Sequence, residues 1–175
     1  MSKILIIIDM VEGFASFGNL SSENVKNIAQ DISVLANISH LNGARIVHLT
    51  DSHLKNASEF NAYPVHCVIG SGEEDIVAEL KLDFIKQIKK NSTNGIFVFN
   101  PLTDFDEIEI CGCVTDICVY EYVMSLLKYK DQFELDATIS VHKGLVTTWD
   151  APGHDSLIIN QKYLEKMRQN GAILI

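Results

Sequence analysis

The sequence lacks what a membrane, secreted or nucleic-acid-binding protein would show. No apolar run approaches the ~20 residues that a bilayer-spanning helix needs. The opening run, "KILIIID" (3–9), is only of strand length, gives way to acidic residues and has no small-residue cleavage site. It therefore does not read as a secretory signal. Lys and Arg number 14 against 23 Asp and Glu, a formal net charge of −9, and no basic cluster or stripe stands out. Nucleic acid is thus left without an electrostatic footprint. There is no repeat, low-complexity tract or linker. The four cysteines include no CxxC pair, so a zinc knuckle or redox pair is not expected, and without a leader they read as reduced cytosolic thiols. These absences leave a cytoplasmic globular protein, one domain over residues 1–175, with a small uncharged or cationic ligand.

Short β-branched runs alternate with amphipathic segments. "KILIIID" has the continuous apolar pattern of a strand buried on both faces. Val25, Ile28, Ile32 and Leu35 recur at helical spacing, which predicts a helix over 21–42 with Ser21 or Ser22 as cap and Asn42-Gly43 as its end. Further strands are predicted at 44–50, 84–90 (an edge strand), 107–113, 134–141 and 172–175. Helices are predicted at 73–80, 116–129 and 154–170, and residues 51–72 form a long irregular loop. Strand–helix alternation implies a three-layer α/β/α fold with a mostly parallel, Rossmann-like sheet. Ligands in such folds bind beyond the carboxyl ends of the strands.

The residues just after the strands carry the chemistry. They are Asp9, then Asp51 and His53, then Lys90, then the segment 113–118. Cys118 opens a helix, where unpaired N–H groups and the dipole favour a thiolate. Cys111 and Cys113 lie on a strand, where a cysteine is usually core, and Cys67 lies in the loop. Asp9 is either a strand-end cap or a general base for a nearby thiol. Lys90, beside Lys86 and Lys89, is by itself an ordinary surface charge, but it could supply the cation a buried Asp9 needs. Asp51, His53, Glu59 and His66 fall within sixteen residues of one loop. Two imidazoles and two carboxylates suit a divalent metal: zinc foremost, iron or manganese otherwise. His40, His48, His142 and His154 have no comparable neighbours and read as structural or exposed.

Assembled in this order, the motifs resemble the nicotinamidase branch of the isochorismatase-like cysteine hydrolases. "LIIIDMVEGF" is similar to that family's first-strand motif, and "TDSH…SEFNAYPVHCVIGSGEE" to its metal-loop motif. "KKNSTNGIF" resembles its lysine motif and "CGCVTDICVYEY" its nucleophile motif. The resemblance spans nearly the whole chain. It implies a triad of Asp9, Lys90 and Cys118. It implies an oxyanion hole from the backbone N–H groups of Val114 and Cys118, with a non-proline cis peptide at Cys113–Val114. It places Asp51, His53, Glu59 and His66 on the metal and Phe14 and Tyr63 against the substrate ring. The sequence departs from the family pattern at Val11, Val65 and Ser92-Thr93-Asn94-Gly95, and Lys89 adjoins Lys90.

The activity this implies is metal-assisted hydrolysis of a small-molecule amide, nicotinamide first, through a thioester on Cys118. Another small amide or ureide, such as an N-carbamoyl compound or ureidoacrylate, is the alternative. Isochorismate is a vinyl ether and needs neither thiol nor metal. A catalytically silent binding module would lack a triad residue, and none is missing. A homo-oligomer is expected for a short hydrolase of this kind.

Overall fold

The computed structural model describes residues 2–175; Met1 lies outside the described residues. Strand β1 spans Lys3–Ile8 and is followed by a four-residue helix, α1, Glu12–Ala15. Helix α2 is Glu23–Leu41, β2 Arg45–Asp51 and β3 Ile85–Lys90. Strand β4 is Glu107–Cys113, helix α3 Tyr120–Gln132 and β5 Thr138–Thr147. Helix α4, Ser156–Gln169, and β6, Ile173–Leu174, complete the chain. The six strands form one sheet in the order β3-β2-β1-β4-β5-β6. Every pairing is parallel.

The two-residue period of β1 builds the three layers. Leu5 and Ile7 join Val25, Ala29, Ile32 and Ala36 of α2 in one apolar cluster. Ile4, Ile6 and Ile8 turn the other way and join Tyr122, Val123 and Leu126 of α3, with Met167 of α4. Both faces of β1 are thus covered, which is why its sequence is continuously apolar rather than alternating. Strand β3 lies at the sheet edge and is mostly exposed, with Ile85 and Ile88 half-buried and only Lys90 buried. Among the described residues, no helix is long and apolar enough to cross a membrane.

Gly112 shows how tightly β1 and β4 meet. It pairs with Ile8, has φ +117°, and a Cβ built on it would lie 2.1 Å from the Ile8 carbonyl oxygen. Only glycine fits that backbone and that approach.

Several predicted elements shift. Residues 73–80 are not a helix; turns lead into a short 3₁₀ turn at Ala78–Leu80. The acidic side chains there tie the preceding loop instead. Glu74 accepts from the Gly72 N–H at 2.9 Å, and Glu73 from the Cys67 N–H at 2.8 Å. Ser22 stands at the N-terminus of α2, but its hydroxyl makes no capping bond. The strand predicted over 134–141 begins at Thr138 and runs on to Thr147, because Glu134, at φ +49°, still belongs to the turn after α3. The helix predicted over 116–129 begins with a wide π turn, Thr115–Val119, before α3 proper.

Candidate active site

The carboxyl ends of β1, β2, β3 and β4 bring the predicted residues together. Asp9 follows β1 directly, is fully buried and has φ +53°. Its Oδ1 accepts a hydrogen bond from the Asp51 N–H at 2.9 Å, and its Oδ2 lies 2.8 Å from Lys90 Nζ. Lys90 Nζ also donates to Asp51 Oδ1. Lys90 is therefore no surface charge. Strand alternation sends Lys90 inward, 2 % exposed, and leaves Lys89 in solvent, which assigns the lysine motif to Lys90. One ammonium between two carboxylates repays part of the desolvation that burying all three costs.

Cys118 lies in the π turn, 5 % exposed. Its Sγ and carboxylate oxygens of Asp9 and Asp51 lie within 4.8 Å of one another. Burial pushes its thiol well above the ordinary range, and the nearby Lys90 ammonium does not offset this. That burial favours the thiol form opposes the pull of the helix terminus toward a thiolate, so a neighbouring base is needed to draw the proton off, and Asp9 stands beside it. Burial, with Asp51 close by, pushes the Asp9 carboxyl up to about 7 against the opposing pull of Lys90. For Asp51, burial acts upward, but Lys90, His53 and His66 outweigh it and hold the carboxylate ionised. Val114 and Cys118 both line the same cavity, and the Cys113–Val114 peptide is cis.

The second cluster shares this wall. His53 Nε2 lies 3.5 Å from Asp51 Oδ2 and 3.9 Å from Glu59 Oε1. His66 Nε2 lies 3.7 Å from each of the same two oxygens. A tetrahedral ion with ligands at ~2.1 Å sets them about 3.4 Å apart, so the four atoms stand close to the spacing of a closed ligand set. Asp51 Oδ2 and His53 Nε2 are buried with no hydrogen-bond partner among the described residues. His66 Nδ1 is 2.7 Å from the Pro64 carbonyl, which fixes its proton there and leaves Nε2 free to ligate. The donor set fits a divalent metal ion.

The cavity has a volume of about 590 Å³. Phe14 and Tyr63 line it, as do Cys118, Asp51, Glu59 and His66. Phe14 also packs against the His66 ring, with centroids 5.6 Å apart.

Four features were not legible in the sequence. Phe60 meets His53 and His66 edge-on, at 5.4 and 5.6 Å, and wedges the two imidazoles. Its only signal was adjacency to Glu59. His48 is buried, and its Nε2 accepts the Met10 N–H at 3.1 Å, bracing the turn that carries Asp9. His154 has neighbours after all: it pairs with Asp116 and stacks on Trp149. Cys113 Sγ donates to the Asp9 carbonyl at 3.0 Å, a contact beyond packing. Cys67 and Cys111 are buried, and burial raises both thiols far above the ordinary range, as it does for inert core cysteines.

Fold and site define a three-layer α/β/α protein with a buried thiol, carboxylate and amine beside a metal-ligand set. Residues 3–129 match the family model described as the isochorismatase domain. The chain belongs to the isochorismatase family and is an isochorismatase-like hydrolase. It is 24 % identical over 174 residues to Nicotinamidase 1 of Arabidopsis thaliana, covering 86 % of this chain and 71 % of that one. The solved pyrazinamidase of Pyrococcus horikoshii, in complex with zinc, superposes with TM-score 0.82 at 21 % identity, covering 100 % of this chain and 99 % of that one. The N-carbamoylsarcosine amidase of Thermoplasma acidophilum does so with TM-score 0.80 at 19 % identity, covering 99 % and 95 %. At these identities the two structures share the fold.

Proposed function

We propose that this protein is a metal-assisted cysteine amidohydrolase that converts nicotinamide to nicotinate and ammonia. The observation that carries this is the meeting of Asp9, Lys90 and Cys118 on the wall that also holds Asp51, His53, Glu59 and His66. The names of the Arabidopsis relative and the zinc-bound Pyrococcus structure support the same substrate class and zinc as the metal.

In this mechanism the Asp9 carboxylate takes the proton of the Cys118 thiol, and the thiolate sulfur attacks the amide carbonyl carbon. Lys90 stays protonated between Asp9 and Asp51 and keeps both carboxylates in place. The N–H groups of Val114 and Cys118 receive the oxyanion, a contribution of about 3 kcal/mol per donor. Asp9 returns its proton to the amide nitrogen as the C–N bond breaks, and ammonia leaves. Asp9 then deprotonates a water, which attacks the thioester. The acid product departs, and Cys118 recovers its proton. Phe14 and Tyr63 hold the ring, and positioning of this kind lowers a barrier by several kcal/mol. Asp51, His53, Glu59 and His66 would hold a divalent ion, which would supply a Lewis acid at the ring end of the substrate, directly or through a water.

The cavity disfavours the alternative of a carboxylate-bearing carbamoyl or ureido substrate. Its described lining holds Glu23, Asp51, Glu59 and Asp150 and no Lys or Arg. Apart from the two carboxylates of the ligand set, this leaves Glu23 and Asp150 and no Lys or Arg side chain to receive a carboxylate tail.

The test is ammonia release from nicotinamide by zinc-loaded wild type and Cys118→Ala. The expected loss in the variant is about 10⁴-fold or more. Wild-type turnover in Cys118→Ala would falsify the thiol mechanism. No release by the wild type would remove nicotinamide as substrate.

A further inference from the structure

Trp149 lies after β5 and lines the cavity, although no sequence motif marks it. It is the only tryptophan in the chain. The His154 ring stacks on its indole, with centroids 4.0 Å apart and 7° between planes. His154 Nδ1 is 2.9 Å from the Trp149 carbonyl oxygen. His154 Nε2 is 2.9 Å from Asp116 Oδ2. Asp116 stands two residues before Cys118 in the π turn. An antiparallel bridge between Ala151 and His154 closes the loop, and Asn24 at the start of α2 donates to the Thr148 carbonyl at 3.0 Å.

Both nitrogens of His154 face acceptors only, so two N–H donors satisfy both contacts. The aspartate and the carbonyl draw its protonation range upward, against the effect of burial. The His154 ring, stacked on the indole, holds one face of Trp149 and pins the loop to the turn that carries Cys118. Phe14 and Tyr63 are the aromatic positions assigned to the substrate ring. Trp149 adds a third aromatic side chain, on a different loop, to a cavity several times larger than a single six-membered ring requires.

We propose that Trp149 is a specificity-determining wall of the substrate cavity, selecting flat aromatic amides, and that His154 is a positioning residue that fixes this wall to the nucleophile turn through Asp116. The inference rests on the amidohydrolase reading above. An aromatic ring offers the indole a stacking partner, and an aliphatic amide does not. The loss of Trp149 should therefore change discrimination between them, not the chemistry at Cys118.

Two measurements test this on the zinc-loaded protein. The first titrates nicotinamide into Cys118→Ala and follows tryptophan emission, which reports on Trp149 alone. A saturable change in emission is expected; saturable binding measured by calorimetry without any change in emission would overturn the wall. The second compares kcat and KM for nicotinamide and for a small aliphatic amide in wild type, Trp149→Ala, Trp149→Phe and His154→Gln. Trp149→Ala should raise KM for nicotinamide about 10-fold or more, with kcat within about 3-fold and the aliphatic amide unaffected. Trp149→Phe should restore most of the affinity. His154→Gln should shift KM in the same direction by less, with the aliphatic amide again unaffected. A uniform loss on both amides in these variants would mean a merely structural role and would overturn the proposal. Wild type inactive on every amide sinks the amidohydrolase reading instead, and the emission titration distinguishes that failure from this one.

Discussion

The backbone N–H of Asp51 donates a 2.9 Å hydrogen bond to Oδ1 of Asp9. The candidate base and the first candidate metal ligand are thus joined directly, and Lys90 bridges them a second time through their side chains. The two halves of the site form one buried charge cluster of two carboxylates and one ammonium. A change made in either half is felt in the other.

Lys90→Met should therefore destabilise the fold as well as stop turnover. It leaves Asp9 and Asp51 buried without their cation, and removing one partner of a buried ion pair costs about 3–5 kcal/mol. Urea unfolding read by far-UV circular dichroism checks this. A variant as stable as wild type would mean that the carboxylates are neutralised in some other way.

Metal occupancy should be measurable without activity. A zinc ion held by the four residues would favour the folded chain over the unfolded one, so saturating zinc should raise the melting temperature and a chelator should lower it. Glu59→Gln should weaken zinc by about 10²-fold while leaving the metal-free melting temperature close to wild type. Asp51→Asn should lower both, because Asp51 also holds Lys90.

His48 sets a pH dependence of stability. Burial lowers its pKa to about 3, and its Nε2 must stay unprotonated to accept the Met10 N–H. The unfolded chain takes up a proton near pH 6.5 and the folded chain does not. The stability His48 contributes is therefore complete above about pH 6.5 and falls toward pH 3, by about 1.4 kcal/mol per pH unit for one proton. Urea midpoints at pH 7 and pH 4.5 should show a steeper loss for wild type than for His48→Gln. Equal slopes would remove His48 as the cause.

Gly112→Ala should cost about 3 kcal/mol, since it combines a positive φ with a collision against the Ile8 backbone. A melting temperature within 2 °C of wild type, on the order of less than 1 kcal/mol for this length, would contradict the close approach of β1 and β4.

The sequence alone determined the layers and which residues gather at the candidate site. Hydrophobic period is a local property, so β1, β2, β4, α2 and α4 were legible to within a few residues at their ends. The rule that ligands gather beyond strand ends then pointed to Asp9, Asp51, His53, Lys90 and Cys118. Side-chain bonding overrode the pattern at 73–80, where Glu73 and Glu74 accept from loop N–H groups and no helix forms. Only the tertiary structure decided the rest. It turned Lys90 inward and Lys89 outward, because the choice depends on which face of an edge strand the sheet covers. It buried Cys118 and so pushed its thiol upward, because desolvation comes from packing and not from residue order. It also joined His154 to Asp116 across thirty-eight positions and set Trp149 on the cavity wall. Nothing local links those residues; they meet because β5 runs parallel to β4 and delivers its loop to the same end of the sheet.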